Sequence, residues 1–494
     1  MEFLIFEDMK KILIVILTAA AIIPGRAQTL DAIIQRARTE SVQALEAKSA
    51  FVSDYWAWRS YQASRLPSLL LYGNLGSFDR SLRQLQNYET GELVYTENFN
   101  MQNSLGLMAR QNLTLTGGTL SLYSDLSRID QFGANAGKTW YAQPVTMSYS
   151  QPLFTYNQFK WDKLISPKEY EAAKRTYLES MEDVTLRAVE YYYNLMLAEK
   201  VYETSKTNYD NTSRMLRIAR ERLSLGSVTR DEYLQLELRQ LNDSISINEN
   251  AVSLSRARMQ LNSLLGYDES YQVIPELQEQ LPDILIDYNL VLEKCSSNSS
   301  FFLNDQINIL NAEAAIAKAK ADRGITMQLS ARFGLTNSSD EFRQTYKNLL
   351  DQEVVGLSFS VPIFDWGQGK GKVKKAEAAA EAVKAEVEQA ENDKRISLFT
   401  AVGEFNNQKQ MCSVSRRASA IAQERYELIM EKFRSGNATV TELNTARNES
   451  DTALQQYVND ISSYWNYYYT LRKLTLYDFI EGHDVTVSFD ELVK

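Results

Sequence analysis

The sequence predicts a mostly helical chain with membrane-type β-strands, built from two copies of one strand-plus-long-helical-hairpin unit. Three observations carry this. Punctuation residues repeat at a fixed offset over more than a hundred positions, very long stretches lack internal proline, and short segments alternate with period two behind an export signal.

The repeat is read from paired positions. Pro152-Leu153-Phe154 and Pro362-Ile363-Phe364 each end a strand-like segment and precede a long helical one, 210 residues apart. The same offset maps Gln158 to Gln368, Glu171 to Glu381, Lys174 to Lys384, Gly226 to Gly436, Thr229 to Thr439 and Tyr267-Asp268 to Tyr477-Asp478. The predicted domain order is a signal peptide at 1–27, a first repeat at 28–268 and a linker at 269–288 around a tunnel waist. A second repeat at 289–478 and a tail at 479–494 follow.

Long helices follow from what is missing. The first hairpin is predicted at 167–265, with a helix from Pro167 to Leu225 of roughly 90 Å and a return from Thr229 to Leu265 of about 55 Å. The second occupies 371–474, with helical stretches from Gly371 to Ser435 and Thr439 to Leu474 and only Gly403 inside them. Helices this long need a coiled-coil or tubular partner. Leu225-Gly226-Ser227-Val228 and Ser435-Gly436-Asn437-Ala438 form the turns, with glycine as the helix stop. Thr229 and Thr439 follow as N-caps, with Glu232 and Glu442 three residues on to complete capping boxes.

The strands show in the period. Leu105, Leu107, Ala109, Leu113 and Leu115 alternate with polar or small residues, as do Val145, Met147 and Tyr149. Met327, Leu329, Ala331, Phe333 and Leu335, then Val355, Leu357, Phe359 and Val361, repeat the pattern in the second copy. One apolar and one small-polar face suit a wall between lipid and water, and a soluble sandwich alternates in the same way. The first copy holds 85 residues between Pro67 and Pro152, against 37 between Ile325 and Pro362. This predicts four strands in the first copy and two in the second. A Gly117-Gly118 turn would pair Leu115 with Leu120 and Leu113 with Leu122, and loops at about 79–102, 128–142 and 337–352 would face outward.

Composition narrows the function. The net charge of −10 opposes a nucleic-acid binder, which needs a basic face. A single histidine, His483, and two distant cysteines, Cys295 and Cys412, leave no metal cluster or histidine-based catalytic group in the sequence. Gly367-Gln368-Gly369-Lys370-Gly371-Lys372 lacks the spacing of a phosphate loop. No cofactor or metal is expected, and no enzyme activity. The tyrosines at 191–193 and the aromatic group Trp465, Tyr467, Tyr468 and Tyr469 are read as helix packing. Lys10-Lys11, an apolar run from Ile12 to Ile23 and Ala27 have the layout of a secretory signal. Glu2, Glu7 and Asp8 suit its start poorly, which points to Met9 as initiator.

In order and spacing these features resemble the TolC-like outer-membrane efflux proteins. The resemblance rests on Thr29-Leu30-Asp31-Ala32, Arg65-Leu66-Pro67, the two Pro-containing strand exits, the two glycine turns and the duplication. It implies a homotrimer whose three chains share one β-barrel, by family habit with four strands from each, continued by an α-helical periplasmic tunnel; the extra Gly117-Gly118 hairpin would make eighteen strands if it joins the sheet and leave twelve if it folds elsewhere. It places the protein in the outer membrane of a diderm bacterium, among its lipid, as the exit duct of a tripartite efflux or type I secretion system. The implied partners are a periplasmic adaptor and an inner-membrane transporter, with no nucleic acid. The same resemblance makes Leu225, Gly226, Ser227, Val228, Ser435, Gly436, Asn437 and Ala438 the adaptor-contact turns, although family tips often read Val-Gly-Leu. It makes Asp231, Glu232 and Glu442 an acidic pore constriction, with Arg230 as a candidate tie, and a ring of like charges there would raise some carboxylate pKa values. Glu232 and Glu442 are equally capping residues. The competing readings are a periplasmic adaptor-like protein and a structural coiled-coil protein of the envelope.

Overall fold

A computed structural model of the chain describes residues 27–86, 91–133, 136–277 and 280–493. The predicted signal segment lies almost wholly outside the described residues.

The duplication is visible in element lengths. Helices α1 (Leu30–Glu40) and α2 (Val42–Ser64) have 11 and 23 residues, the same as α5 (Tyr288–Asn298) and α6 (Phe301–Arg323). In the first copy, strands β1 (Ser68–Gln86), β2 (Leu93–Leu113), β3 (Gly118–Gln131) and β4 (Gly137–Leu153) lead to helices α3 (Gln158–Ser224) and α4 (Arg230–Leu265). In the second, β5 (Thr326–Ser339) and β6 (Leu350–Ser360) lead to α7 (Gln368–Ser435) and α8 (Val440–Thr475). The long helices have 67 and 68 residues and their returns 36 each. α3 starts nine residues before Pro167, which sits inside the helix. Proline within a helix removes only one backbone hydrogen bond, and the packing of a helix this long holds it through that gap.

Contacts divide the chain into two compact units. One comprises Ser53–Ala172 and Phe302–Ala390 and contains the sheet. The six strands form a single antiparallel sheet in chain order, β1-β2-β3-β4-β5-β6. The four-plus-two division of strands holds, but the register at Gly117-Gly118 differs from the two-residue turn expected there. Leu113 pairs with Gly118, Gln111 with Leu120 and Ala109 with Leu122. The turn takes four residues because Gly117, at φ 79°, donates its N–H to the carbonyl of Leu113 at 2.8 Å. The Gln151 amide donates to the carbonyl of Thr116 at 2.8 Å and holds the turn from the next strand. An even shift of register leaves faces unchanged, so Leu105, Leu107, Leu120 and Leu122 still share one side.

That side is apolar and bare. Leu69, Leu71, Leu107, Leu122, Met147, Leu357 and Phe359 lie on it and are exposed. The opposite face carries Asn74, Ser104, Asp125, Ser148, Ser330 and Ser358. Much of the chain read as loop is strand: β1 and β2 stay paired out to Gln86 and Leu93. Polar cross-strand contacts carry the ladder there, with Arg80 on Glu97 at 3.0 Å and Asn98 donating to Asp79 at 2.6 Å. Such pairs alternate no apolar residues, so the period that marks a strand disappears from the sequence. No helix among the described residues is long and apolar enough to cross a membrane.

Ile165 and Ala172 of α3 pack on Ile307 of α6 beneath the sheet, and Trp58 stacks on Tyr170 with centroids 5.5 Å apart. Asp365 caps the start of α7, accepting from the N–H groups of Gly367 at 2.9 Å and Gly369 at 2.7 Å. The glycine-rich segment is therefore a helix start.

The other unit holds the described residues up to Val52, with Ala173–Phe301 and the chain from Glu391 onward. Its core is the aromatic group read from the sequence. Tyr192, Tyr193, Tyr464 and Tyr468 are fully buried. The Tyr192 hydroxyl accepts from the N–H of Glu276 at 2.8 Å, and Tyr468 donates to Asp478 at 2.6 Å. Residues of the predicted linker pack on this unit: Tyr267 stacks on Tyr271 at 4.2 Å, and Asn406 exchanges hydrogen bonds of 3.0 and 2.9 Å with the backbone of Ile286. Cys295 and Cys412 are buried free thiols.

Candidate functional site

The two turns are built alike. Each long helix ends in a Schellman motif, with Ser227 N–H on the carbonyl of Arg222 at 2.9 Å and Asn437 N–H on that of Lys432 at 2.8 Å. Both motifs need a residue in the left-handed region, and Gly226 and Gly436 supply it at φ 71° and 85°. Both capping boxes form. Glu232 Oε2 accepts from the N–H and hydroxyl of Thr229, each at 2.9 Å, and Glu442 Oε2 from those of Thr439 at 2.8 and 3.0 Å.

Tertiary structure brings the turns together. Leu225, Ser227, Val228, Gly436, Asn437 and Ala438 line one open groove of about 530 Å³, with Glu232 and Glu442 on its wall. Behind it, Met215 and Ala219 of α3, Leu236 of α4, Phe433 of α7 and Val440 and Leu443 of α8 form a closed apolar plug. Leu225 stands 79% exposed at the tip, a costly placement for leucine in water that suits a contact surface. Asp231 is exposed and accepts from the Gln235 amide at 2.8 Å.

Arg230 is exposed, and within the chain Arg222 joins the two hairpins. Arg222, in the last turn of α3, donates to the carbonyl of Phe433 at 3.0 Å and to that of Arg434. It thus satisfies helix-end carbonyls of α7, the second hairpin. A basic residue in a last turn was a visible signal, but that it serves another helix was not.

Above the plug the hairpins share a second junction. Arg447 of α8 forms a two-bond pair with Asp243 of α4 at 2.8 and 3.0 Å, and Thr212 of α3 donates to the same carboxylate at 2.7 Å. Asp243 is 3% exposed and Arg447 7%. These residues gave no sequence signal, since each reads as one polar residue on a polar helix.

The hydrogen bonds from the Thr439 N–H, and then its hydroxyl, hold the Glu442 carboxyl below its ordinary value. This is opposite to the rise expected from a ring of like charges, a term that a single chain does not contain. The capping contribution is therefore complete above the ordinary carboxylate value of ~4.3 and is lost as pH falls through the lowered folded value. A spin label on Asn437→Cys is expected to gain mobility over that acid range, and Glu442→Gln should abolish the transition. The same transition in Glu442→Gln would show that another group controls the turn. Among the described residues no cluster of His, Cys, Asp and Glu suits a metal ion.

Residues 292–475 match the family model described as outer membrane efflux protein. No curated protein sequence matches the chain. Among solved structures, the outer-membrane channel OprN is similar over 90% of this chain and 89% of its own, with TM-score 0.63 and 16% identity. The CmeC outer membrane channel of Campylobacter jejuni gives 0.62 and 16%, over 94% and 88%. The outer membrane protein VceC of Vibrio cholerae gives 0.60 and 14%, over 90% and 95%. At such identities the structures speak for the fold, and the family match speaks for the kind of protein. The second repeat of this chain matches the outer membrane efflux protein family, and the whole chain has the fold of the outer-membrane channels OprN and CmeC.

Proposed function

We propose that the paired turns are the gated inner end of an exit duct, where a periplasmic adaptor and an inner-membrane transporter engage the channel. The observation that carries this is the convergence of both turns on one groove, with two capping glutamates on its wall and Arg222 joining the hairpins. Leu225, Gly226, Ser227 and Val228 with Ser435, Gly436, Asn437 and Ala438 form the adaptor contact. Asp231, Glu232 and Glu442 supply the charge of the constriction, with Arg230 beside them. Capping engages Oε2 of each glutamate and does not neutralise it, so one carboxylate both caps and presents charge. The apolar sheet face meets outer-membrane lipid.

Charge repeated around a narrow opening favours cations. Glu232→Gln with Glu442→Gln is expected to reduce cation-over-anion permeability several-fold in planar-bilayer reversal potentials. Unchanged selectivity would leave these side chains with capping alone. A photo-crosslinking residue in place of Leu225 or Ser435 should capture an adaptor in intact cells. Capture only from positions away from the turns would remove the docking assignment.

A further inference from the structure

The family resemblance implies four strands per copy, whereas this chain offers six in one unbroken sheet. We infer that the membrane wall is an eighteen-stranded barrel of three copies, closed by β6 of one copy pairing with β1 of the next. This rests on the duct reading and sets the size of its outer opening.

Among the described residues both edge strands lack a second partner: β1 pairs with β2 alone, and β6 with β5 alone. A bare backbone edge in lipid costs several kcal/mol for each unsatisfied group, so the sheet must close on something. A second copy fits in three ways. Six alternating strands put β1 and β6 in opposite directions, so copies meet antiparallel and the total stays even. The regular parts match in length, Ser68–Asn74 before the irregularity of β1 and Val354–Ser360 after the last outer-face acid of β6, Glu353. Within these two parts neither edge carries a proline, a charged residue or a bulge, the usual protections of an edge that stays open. Leu69 and Leu71 share their face with Leu357 and Phe359 in the sheet, so registers that keep the face pair odd residues with odd. The six strands cannot close alone, since small barrels need about eight to fill their interior.

The extra hairpin β2–β3 lies between β1 and β4 in the sheet, so it widens the wall and does not decorate it. With strands ~4.8 Å apart and tilted ~40°, eighteen give a barrel roughly 36 Å across between backbones, against about 24 Å for twelve. The backbone ring would then be about one and a half times as wide at the outer surface.

Paired cysteines on the lipid-facing side test the wall directly, because Cys295 and Cys412 are buried. Leu71→Cys combined in turn with Val355→Cys, Leu357→Cys or Phe359→Cys should, on oxidation in membranes, give covalent trimers from at least one pair. Leu71→Cys with Leu107→Cys and Leu122→Cys with Met147→Cys should each close within one chain, following the observed pairing. Leu71→Cys with Met147→Cys should not close. If that last pair closes, β2 and β3 lie outside the wall, the barrel has twelve strands, and the inference falls while the duct reading stands. Trimers that form without any β1–β6 bond would overturn the closure alone. Absence of trimer in detergent by light scattering would overturn the closure and the duct reading together.

Discussion

Replacing Asp243 by alanine is expected to destabilise the protein by about 3–5 kcal/mol, the usual cost of leaving one partner of a buried ion pair alone. The partner is Arg447, 7% exposed, held by two bonds to Asp243 and by Asp451 at 3.7 Å. Removing Asp243 leaves this guanidinium only Asp451 and the Thr212 oxygen, and the Thr212 hydroxyl loses its acceptor. A cavity of about 210 Å³ beside the pair, lined by Asn208, Arg239, Arg447 and Asp451, decides where in that range the effect falls. It is polar and large enough for several waters, and water can solvate the abandoned charge. The lower half of the range is therefore expected, read as a drop in the thermal transition of the detergent-solubilised protein. Asp243→Leu with Arg447→Leu removes both charges and should melt near the unaltered protein, because exchanging a buried pair for apolar side chains is often neutral. Raised salt should change little, since buried pairs are weakly screened. If Asp243→Ala melts normally, the pair contributes nothing and α4 and α8 are held by the Arg239–Asn448 hydrogen bond and apolar contacts.

The other large effect is functional. Arg222→Met keeps the side-chain stem but loses two charge-assisted hydrogen bonds to the end of α7. Each such bond is worth ~1.5–3 kcal/mol. Both carbonyls lie near water, which replaces part of that, so a net loss of about 1.4 kcal/mol is the reasonable expectation. That energy shifts a two-state equilibrium about tenfold. The tip should spend roughly ten times as long in a parted state, seen as more frequent openings of single channels in planar bilayers. Arg222→Lys should fall between the two, because an ammonium brings charge without the planar fork that reaches both carbonyls. Openings unchanged in Arg222→Met would mean that the apolar plug around Phe433 and Val440 holds the tip without help.

The acidic tip was legible because capping is a local matter. Thr229 with Glu232 and Thr439 with Glu442 lie three residues apart, and both boxes form as the spacing requires. Arg222 was missed although it lies in the same turn, since its acceptors sit more than two hundred residues away. Arg230, the candidate tie that the resemblance implies, is exposed in the single chain. The hairpin at Gly117 shows the same limit on a smaller scale. Alternation fixed which residues share a face, but the choice between a two-residue and a four-residue turn depended on Gln151 reaching back to Thr116.

By itself the sequence determined the duplication, the long helices, their caps and the strand count. Each of these is written in spacing along the chain: glycine and proline stop helices, caps act within four residues, and side-chain period follows backbone geometry. Tertiary structure decided what the spacing cannot hold. It brought Asp243 to Arg447, gave Arg222 the carbonyls of another hairpin, and extended β1 and β2 on polar pairs where alternation fades. Those contacts join positions far apart in the chain, and their energy comes from burial and desolvation, which no local pattern records.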